Sequence, residues 1–280
     1  MHSTHLLVLS LSIALLPALM ADPWDRKLAK AADLSNAGRY LDAVGLLEEA
    51  RAQAAQVNAA DTRVALALNN LGTVHIRLND FHKAEQCYRR SAEIWEAHGE
   101  VLNRIAPVTN LVAVYLGRRM FTAADKLLGR QMKLAREKLG PEHQQVSVLL
   151  TYMAQSAFLR GDFETAARED ERALELVRKL HPGAHPNVAV ALDNLGTIYR
   201  AQHRLEASSR VYTEALEIMQ ASGHPQHPAW IRALAHYGVL CLDQGRYDEA
   251  KSLLQQALER AEQCLRPKDP AVASILKNYA

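Results

Sequence analysis

The chain repeats itself about every forty-two residues, and that periodicity restricts its fold more than any other feature. Leu195-Gly196 and Tyr199, followed by Leu205, Tyr212 and Ala215, have counterparts forty-two residues later in Tyr237-Gly238, Cys241, Tyr247, Ala250, Leu254 and Ala257. The same pattern appears earlier as Leu71-Gly72, His75, Phe81, Ala84, Tyr88 and Ser91. Fixed-period self-similarity of this length means stacked units, each of which leaves apolar surface that only its neighbours can bury.

One small residue per repeat serves as a marker: Ala31, Gly72, Val112, Ala154, Gly196, Gly238 and, at the end, Ala280. The intervals between markers are 41, 40, 42, 42, 42 and 42 residues. Twelve residues past each marker stands a second small residue: Ala43, Ala84, Ala124, Ala166, Ser208 and Ala250. Nine past it stands a large apolar one: Tyr40, Phe81, Phe121, Phe163, Leu205 and Tyr247. Leu68, Leu71, Gly72 and His75 share one helical face, and Ala84, Tyr88 and Ser91 share another. Asn79-Asp80, Gly161-Asp162 and Gly245-Arg246 mark the turn between the two. The register therefore predicts helical hairpins whose small residues allow close approach, with the large residue nine past the marker filling the space beside them. Val112 departs from the small-residue rule and predicts a splayed third hairpin. Asp170 stands where an aromatic or Leu is expected and predicts looser packing in the fourth.

The pattern resembles the tetratricopeptide repeat, in the forty-two-residue spacing of kinesin light chains and many bacterial proteins. Leu71-Gly72, Phe81, Ala84 and Tyr88 carry the resemblance in the second repeat. Leu195-Gly196, Tyr199, Tyr212 and Ala215 carry it in the fifth, and Tyr237-Gly238, Gly245, Tyr247, Ala250 and Ala257 in the sixth. It covers residues 24 to 280 and implies an all-α fold, a right-handed α-solenoid of stacked antiparallel helical hairpins. The expected hairpins span approximately 24–60, 61–100, 101–142, 143–184, 185–226 and 227–268, with a terminal helix at 269–280. That last helix is either a short cap over the sixth hairpin or the start of a repeat in a longer protein.

The 33 basic and 31 acidic residues are interspersed and leave a formal net charge of +2. That balance excludes the basic stripe of a nucleic-acid surface and the polybasic patch of a membrane-surface protein. Residues 1–21 differ from the rest. They are almost wholly apolar from Leu6 to Leu16, are broken by Pro17, and end in the small-residue segment Ala18 to Ala21. This reads as a secretory signal peptide and places the mature chain, residues 22–280, in a secreted or periplasmic setting. A start at Met20 would instead give a cytoplasmic protein. Cys87, Cys241 and Cys264 are too few and too scattered for a disulfide framework.

Two joints are rich in histidine: His181 to Pro186 and His224 to Pro228. Histidine clusters raise a metal reading, but the register offers another. His143, His185 and His227 occupy one slot, Asp61 and Asp269 occupy it in other repeats, and Pro186, Pro228 and Pro270 follow directly. This is the composition of a helix N-terminus, with an N-cap residue followed by a first-turn proline. The chain has no GxSxG, HExxH, GxxxxGK[ST] or GxGxxG motif. The expectation is a non-catalytic protein with no metal and no cofactor.

First helices line the binding face of such arrays. Residues two before each marker point partly into it: Asn70, Asn110, Tyr152, Asn194, His236 and Asn278. Asn is a mediocre helix former, so its recurrence inside helices requires a reason. An amide can both donate to and accept from a peptide backbone, and it can equally bridge neighbouring hairpins. The resemblance to kinesin-light-chain repeats, which hold extended peptides with such asparagines, implies that role for Asn70, Asn110 and Asn194. Helical spacing adds Thr73, Arg77, Gln155, Asp193, Thr197, Arg200 and Arg232, with Ile76, Leu116, Phe158 and Leu242 as apolar flanks. Mixed charge along this set suits an extended protein or peptide ligand with alternating polar and apolar residues. The expected function is adaptor or scaffold. Alternatives are a self-associating array pairing through the C-terminal end near Tyr279, an adaptor fragment of a larger protein, and a metal-dependent enzyme at the histidine-proline joints.

Overall fold

A computed structural model describes residues 22–224, 227–264 and 275–278. The segment 1–21, Asp269-Pro270 and Tyr279 lie outside the described residues, as does the side chain of Cys264. Among the described residues all regular structure is helical. The chain divides into two compact units, residues 1–141 and 142–280. In the first unit α1 (Pro23–Asn36) pairs with α2 (Tyr40–Val57), α3 (Thr62–Arg77) with α4 (Phe81–Ala97), and α5 (Val101–Gly117) with α6 (Phe121–Leu139). In the second, α7 (Gln144–Arg160) pairs with α8 (Phe163–Leu180), α9 (Pro186–Ala201) with α10 (Leu205–Ala221), and α11 (Pro228–Asp243) with α12 (Tyr247–Cys264). Within each unit the second helix of a hairpin also packs on the first helix of the next. The fold is an α-solenoid of consecutive helical hairpins.

The sequence register maps directly onto the core. Ala31, Val112 and Ala154 are buried at the marker position, as are Gly72, Gly196 and Gly238. All six residues twelve past the markers are fully buried. Where that residue is Ser208, its hydroxyl donates to the carbonyl of the marker Gly196 at 2.7 Å, which satisfies a polar group in the tightest part of the hairpin.

The residue that fills the hairpin is not the one expected. Nine past the marker, Phe81 is 44% exposed and Tyr247 70% exposed, because these side chains sit in the first turn of the second helix. The space is filled instead from sixteen past the marker, by Leu47, Tyr88, Leu128, Tyr212 and Leu254, all essentially buried. The two positions are complementary in volume. Tyr88 lies on Gly72, Tyr212 on Gly196 and Leu254 on Gly238, each so close that a Cβ on the glycine would stand 2.6–2.8 Å from the facing side chain. Val112 is opposed by the smaller Leu128, and both are fully buried, so the third hairpin accommodates its larger marker by a smaller partner. Asp170 holds this position in the fourth hairpin and is wholly enclosed.

Every hairpin turns in the same way. The residue seven past the marker is left-handed: Gly38, Asn79, Arg119, Gly161, His203 and Gly245, with φ between 58° and 83°. The next amide donates back five residues, as in Asp80 to the His75 carbonyl at 2.9 Å and Arg204 to the Tyr199 carbonyl at 2.9 Å. This is the Schellman closure of a helix C-terminus. Three of the six turns reach it without glycine.

Histidines do cap the helices of the second unit. His143, His185 and His227 each accept, through Nδ1, the amide N–H two residues on, from Gln145 at 3.2 Å, Asn187 at 3.1 Å and Ala229 at 3.1 Å. In the first unit Asp22 and Asp61 do the same for α1 and α3.

Candidate functional site

The expected binding residues all lie on first helices, but the structure sorts them into three kinds. Thr73 and Thr197 are turned into their own hairpins. Each hydroxyl donates to the carbonyl four residues back, Asn69 at 3.2 Å and Asp193 at 3.1 Å. Each then accepts the phenolic O–H of the residue on the marker glycine, Tyr88 at 3.2 Å and Tyr212 at 3.0 Å. They lock the tyrosine over the glycine and are not presented on the first-helix face.

A second group joins one hairpin to the next. The Asn110 amide donates to Oδ1 of Asn69 at 3.0 Å, from α5 to α3. In the second unit Asp193, 1% exposed, receives His236 Nδ1 at 2.8 Å and Arg232 Nε at 2.5 Å from α11. These two clasps share a register. The residue three before one marker holds the residue two before the next, Asn69 with Asn110 and Asp193 with His236. Arg200 adds a second link between α9 and α11 by pairing with Asp243 at 2.8 Å. Asp193 was expected on the binding face; it lies beneath it and positions two residues that do reach the surface.

The electrostatics follow from this enclosure. Burial pushes the Asp193 carboxyl up, but His236 and Arg232 outweigh that and hold it below the usual carboxylate range. Because Asp193 accepts, His236 carries its proton on Nδ1, and Nε2 is the ring atom left for another partner. Asp170, on α8, has the opposite fate. Burial, and then the neighbouring Asp193 charge, push its carboxyl up to about 8, against the pull of Arg232. Neither of its oxygens has a hydrogen-bond partner. Burial and the Asp193 charge also raise the Tyr212 phenol.

The third group remains available on the face. Arg77 is exposed, and Asn70, Gln155, Asn194, Arg200, Arg232 and His236 are partly exposed. Gln155 Oε1, Asn194 Oδ1 and Arg232 Nη2 are buried polar atoms with no hydrogen-bond partner. Tyr152, two before its marker, is buried and engaged. Of the apolar flanks, Leu116 is buried and belongs to the core, whereas Ile76, Phe158 and Leu242 are half-buried. Asn69 and His236 were missed as linkage residues. The signal was present in the register, as a polar residue three before one marker, Asn69 or Asp193, and another two before the next, Asn110 or His236.

The α8–α10 side of the second unit carries a cavity of about 600 Å³ with an apolar floor of Leu174, Leu192, Leu195 and Val211. Its rim carboxylates are engaged: Glu171 accepts from Tyr199 at 2.7 Å, and Glu214 pairs with Arg178 at 2.5 Å. Among the described residues there is no cluster of three or more His, Cys, Asp or Glu side chains able to hold a metal, and no helix is long and apolar enough to cross a membrane. At the histidine joints the capping bonds occupy the Nδ1 lone pairs of His185 and His227, and His181 and His185 stack at 4.0 Å between ring centres.

The family pattern of tetratricopeptide repeats matches residues 26–97, 145–221 and 230–280. The chain belongs to the tetratricopeptide-repeat family. No curated protein matches it. Its solved structural neighbours share the array at low identity. BtubC (BKLC) from P. vanneervenii is 17% identical, with a TM-score of 0.60 over 72% of this chain and 92% of that one. A putative kinesin light chain with nearly identical TPR-like repeats from Podosopora anserina is 17% identical, with a TM-score of 0.59 over 73% and 99%. NprR in complex with its cognate peptide NprX is 12% identical, with a TM-score of 0.63 over 91% and 70%. At these identities the likeness concerns the fold.

Proposed function

We propose that this tetratricopeptide-repeat protein is a non-catalytic adaptor that holds an extended peptide or protein segment along its first-helix face, the concave face of such arrays. The observation that carries this reading is the Asp193 clasp. A fully buried carboxylate fixes Arg232 and His236 at the surface, and its chain neighbour Asn194 presents a partly exposed amide. Rigidly held polar groups at a surface are what backbone recognition requires, because ordering them in advance lowers the cost of binding. NprR, with its peptide NprX, supports the reading as a protein of the same fold that takes a peptide. The mixed charge of the face favours a ligand of mixed polarity over a strongly acidic one.

The structure refines which asparagines to test. Asn110 is committed to Asn69, so its removal perturbs packing as well as any contact with a ligand. Asn70 and Asn194 are the cleaner probes, because Arg232 is likewise committed to Asp193. A peptide-display selection on residues 22–280 should yield binders whose affinity falls about tenfold or more when Asn70 and Asn194 are replaced by Ala, with helicity retained. Selected peptides that bind the double variant equally well would overturn the assignment of the face. The same reading includes export through residues 1–21, which a periplasmic alkaline-phosphatase fusion to that segment checks: activity supports export, and none supports a start at Met20.

A further inference from the structure

The three histidine caps all lie in one unit. His143 opens α7, His185 opens α9 and His227 opens α11, so the first helices of the three described hairpins of this unit each begin on an imidazole. In residues 1–141 the side-chain caps of first helices are Asp22 and Asp61. The two residue types do the same work at neutral pH but answer differently to acid. A carboxylate stays an acceptor down to about pH 4, whereas an imidazole accepts only while it is neutral. Protonation places a hydrogen on Nδ1, where each histidine now receives a backbone N–H, and adds a positive charge at the positive end of the helix dipole.

We infer that the second unit contains an acid-responsive element: protonation of His185 and His227 uncaps α9 and α11 together and loosens them, while the Asp22 and Asp61 caps of the first unit keep their acceptors.

The surroundings reinforce the effect at both sites. His185 stacks on His181 from the end of α8 and also faces His224 and His227. His227 faces His224 and, one turn into its own helix, Arg232. No carboxylate is among the groups acting on either ring, so a second or third proton enters a cluster with nothing to neutralise it. His143 lies beside Glu142, which pairs with Lys179 of α8 at 3.4 Å. Burial first, and then the neighbouring positive groups, hold His185 and His227 below the usual histidine range. The sign follows. A histidine whose folded pKa is depressed contributes stability that is present above pH 6.5 and is lost as pH falls through its folded value. One pH unit below 6.5, His185 and His227 can each weaken the folded state by at most about tenfold. Asp170, buried on α8, acts in the opposite sense because its carboxyl is raised, so the histidine contribution must be isolated by substitution.

The test is hydrogen exchange read by mass spectrometry on the intact 22–280 chain at pH 7.5 and 5.5, corrected for intrinsic exchange rates. The wild type is compared with H185N/H227N, in which Asn caps the same helices without titrating. The double variant should match the wild type at pH 7.5. At pH 5.5 it should protect α9 and α11 about tenfold or more better than the wild type, with no difference in α3. A His→Ala double variant should be weakened at both pH values and lose the acid-specific difference. If the wild-type and Asn chains show the same protection ratio at both pH values, or if α3 changes as much as α9, the inference fails. It does not rest on the peptide-binding reading, and loss of one leaves the other standing.

Discussion

Replacing Gly196 by Ala isolates the contact on which the hairpins close. In an exposed helix interior this change stabilises by about 1 kcal/mol, because alanine has the higher helix propensity. Here the added Cβ would stand 2.7 Å from Cε1 and Cζ of Tyr212. The ring cannot swing away easily. Tyr212 is fully buried and its hydroxyl is tied to Thr197 at 3.0 Å. Overpacking of a filled core costs about 1–3 kcal/mol, which cancels the propensity gain and leaves an expected net loss of up to about 2 kcal/mol. Urea denaturation followed by circular dichroism measures it as a lower midpoint at unchanged slope. The pairing also predicts its own remedy. Ala31 with Leu47 shows that an alanine marker accepts leucine opposite, so Tyr212→Leu added to Gly196→Ala should restore part of the loss. The coupling between the two changes should be about 1 kcal/mol or more. A Gly196→Ala protein more stable than the wild type by the propensity value, or two changes that simply add, would refute this volume matching.

Three further outcomes follow from particular contacts. His203 adopts φ 58°, a left-handed conformation that costs a non-glycine residue about 1 kcal/mol, so His203→Gly should raise stability by about that amount, measured by the same denaturation. Asp170→Leu places at this site the residue that fills it in three other hairpins, and it should stabilise by about 1–4 kcal/mol at pH 7.5. Because the folded Asp170 carboxyl is raised to about 8, its cost grows as pH rises from the unfolded carboxylate range to about 8, so the gain from Leu should shrink steadily on acidification to pH 5. Asp193→Ala leaves Arg232 and His236 without their buried acceptor and should cost about 3–5 kcal/mol, measured as loss of protection in α9 and α11 by hydrogen exchange.

Much of this arrangement was legible in the sequence because repetition samples each structural position six times. Ala43, Ala84, Ala124, Ala166, Ser208 and Ala250 agree on one close contact, and the structure buries all of them. The slot shared by Asp61, His143, His185 and His227 was readable for the same reason, since aspartate and histidine have capping in common. What sequence could not resolve was direction within a helix. Phe81 and Tyr88 are both aromatic and both recur in register, yet only the second faces the marker glycine; the first begins the helix at its exposed end. Thr73 and Thr197 looked like face residues from their spacing, but each bonds the tyrosine of its own hairpin. Asp193 lies at an angle between the face and the core, and its role became visible only when Arg232 and His236 were found on it. Pairings between first helices forty-one or forty-three residues apart depend on how hairpins stack, which a single hairpin's pattern does not encode.

The most direct test of the binding account is site-specific photo-crosslinking. A photoreactive residue is placed in turn at Arg77 and Asn194 on first helices and at Glu217 on α10, and each protein is mixed with a display-selected peptide. The account predicts crosslinks from positions 77 or 194 that disappear when excess unlabelled peptide is added, and none from position 217. Crosslinks confined to position 217 would contradict it and move the binding surface to the second helices.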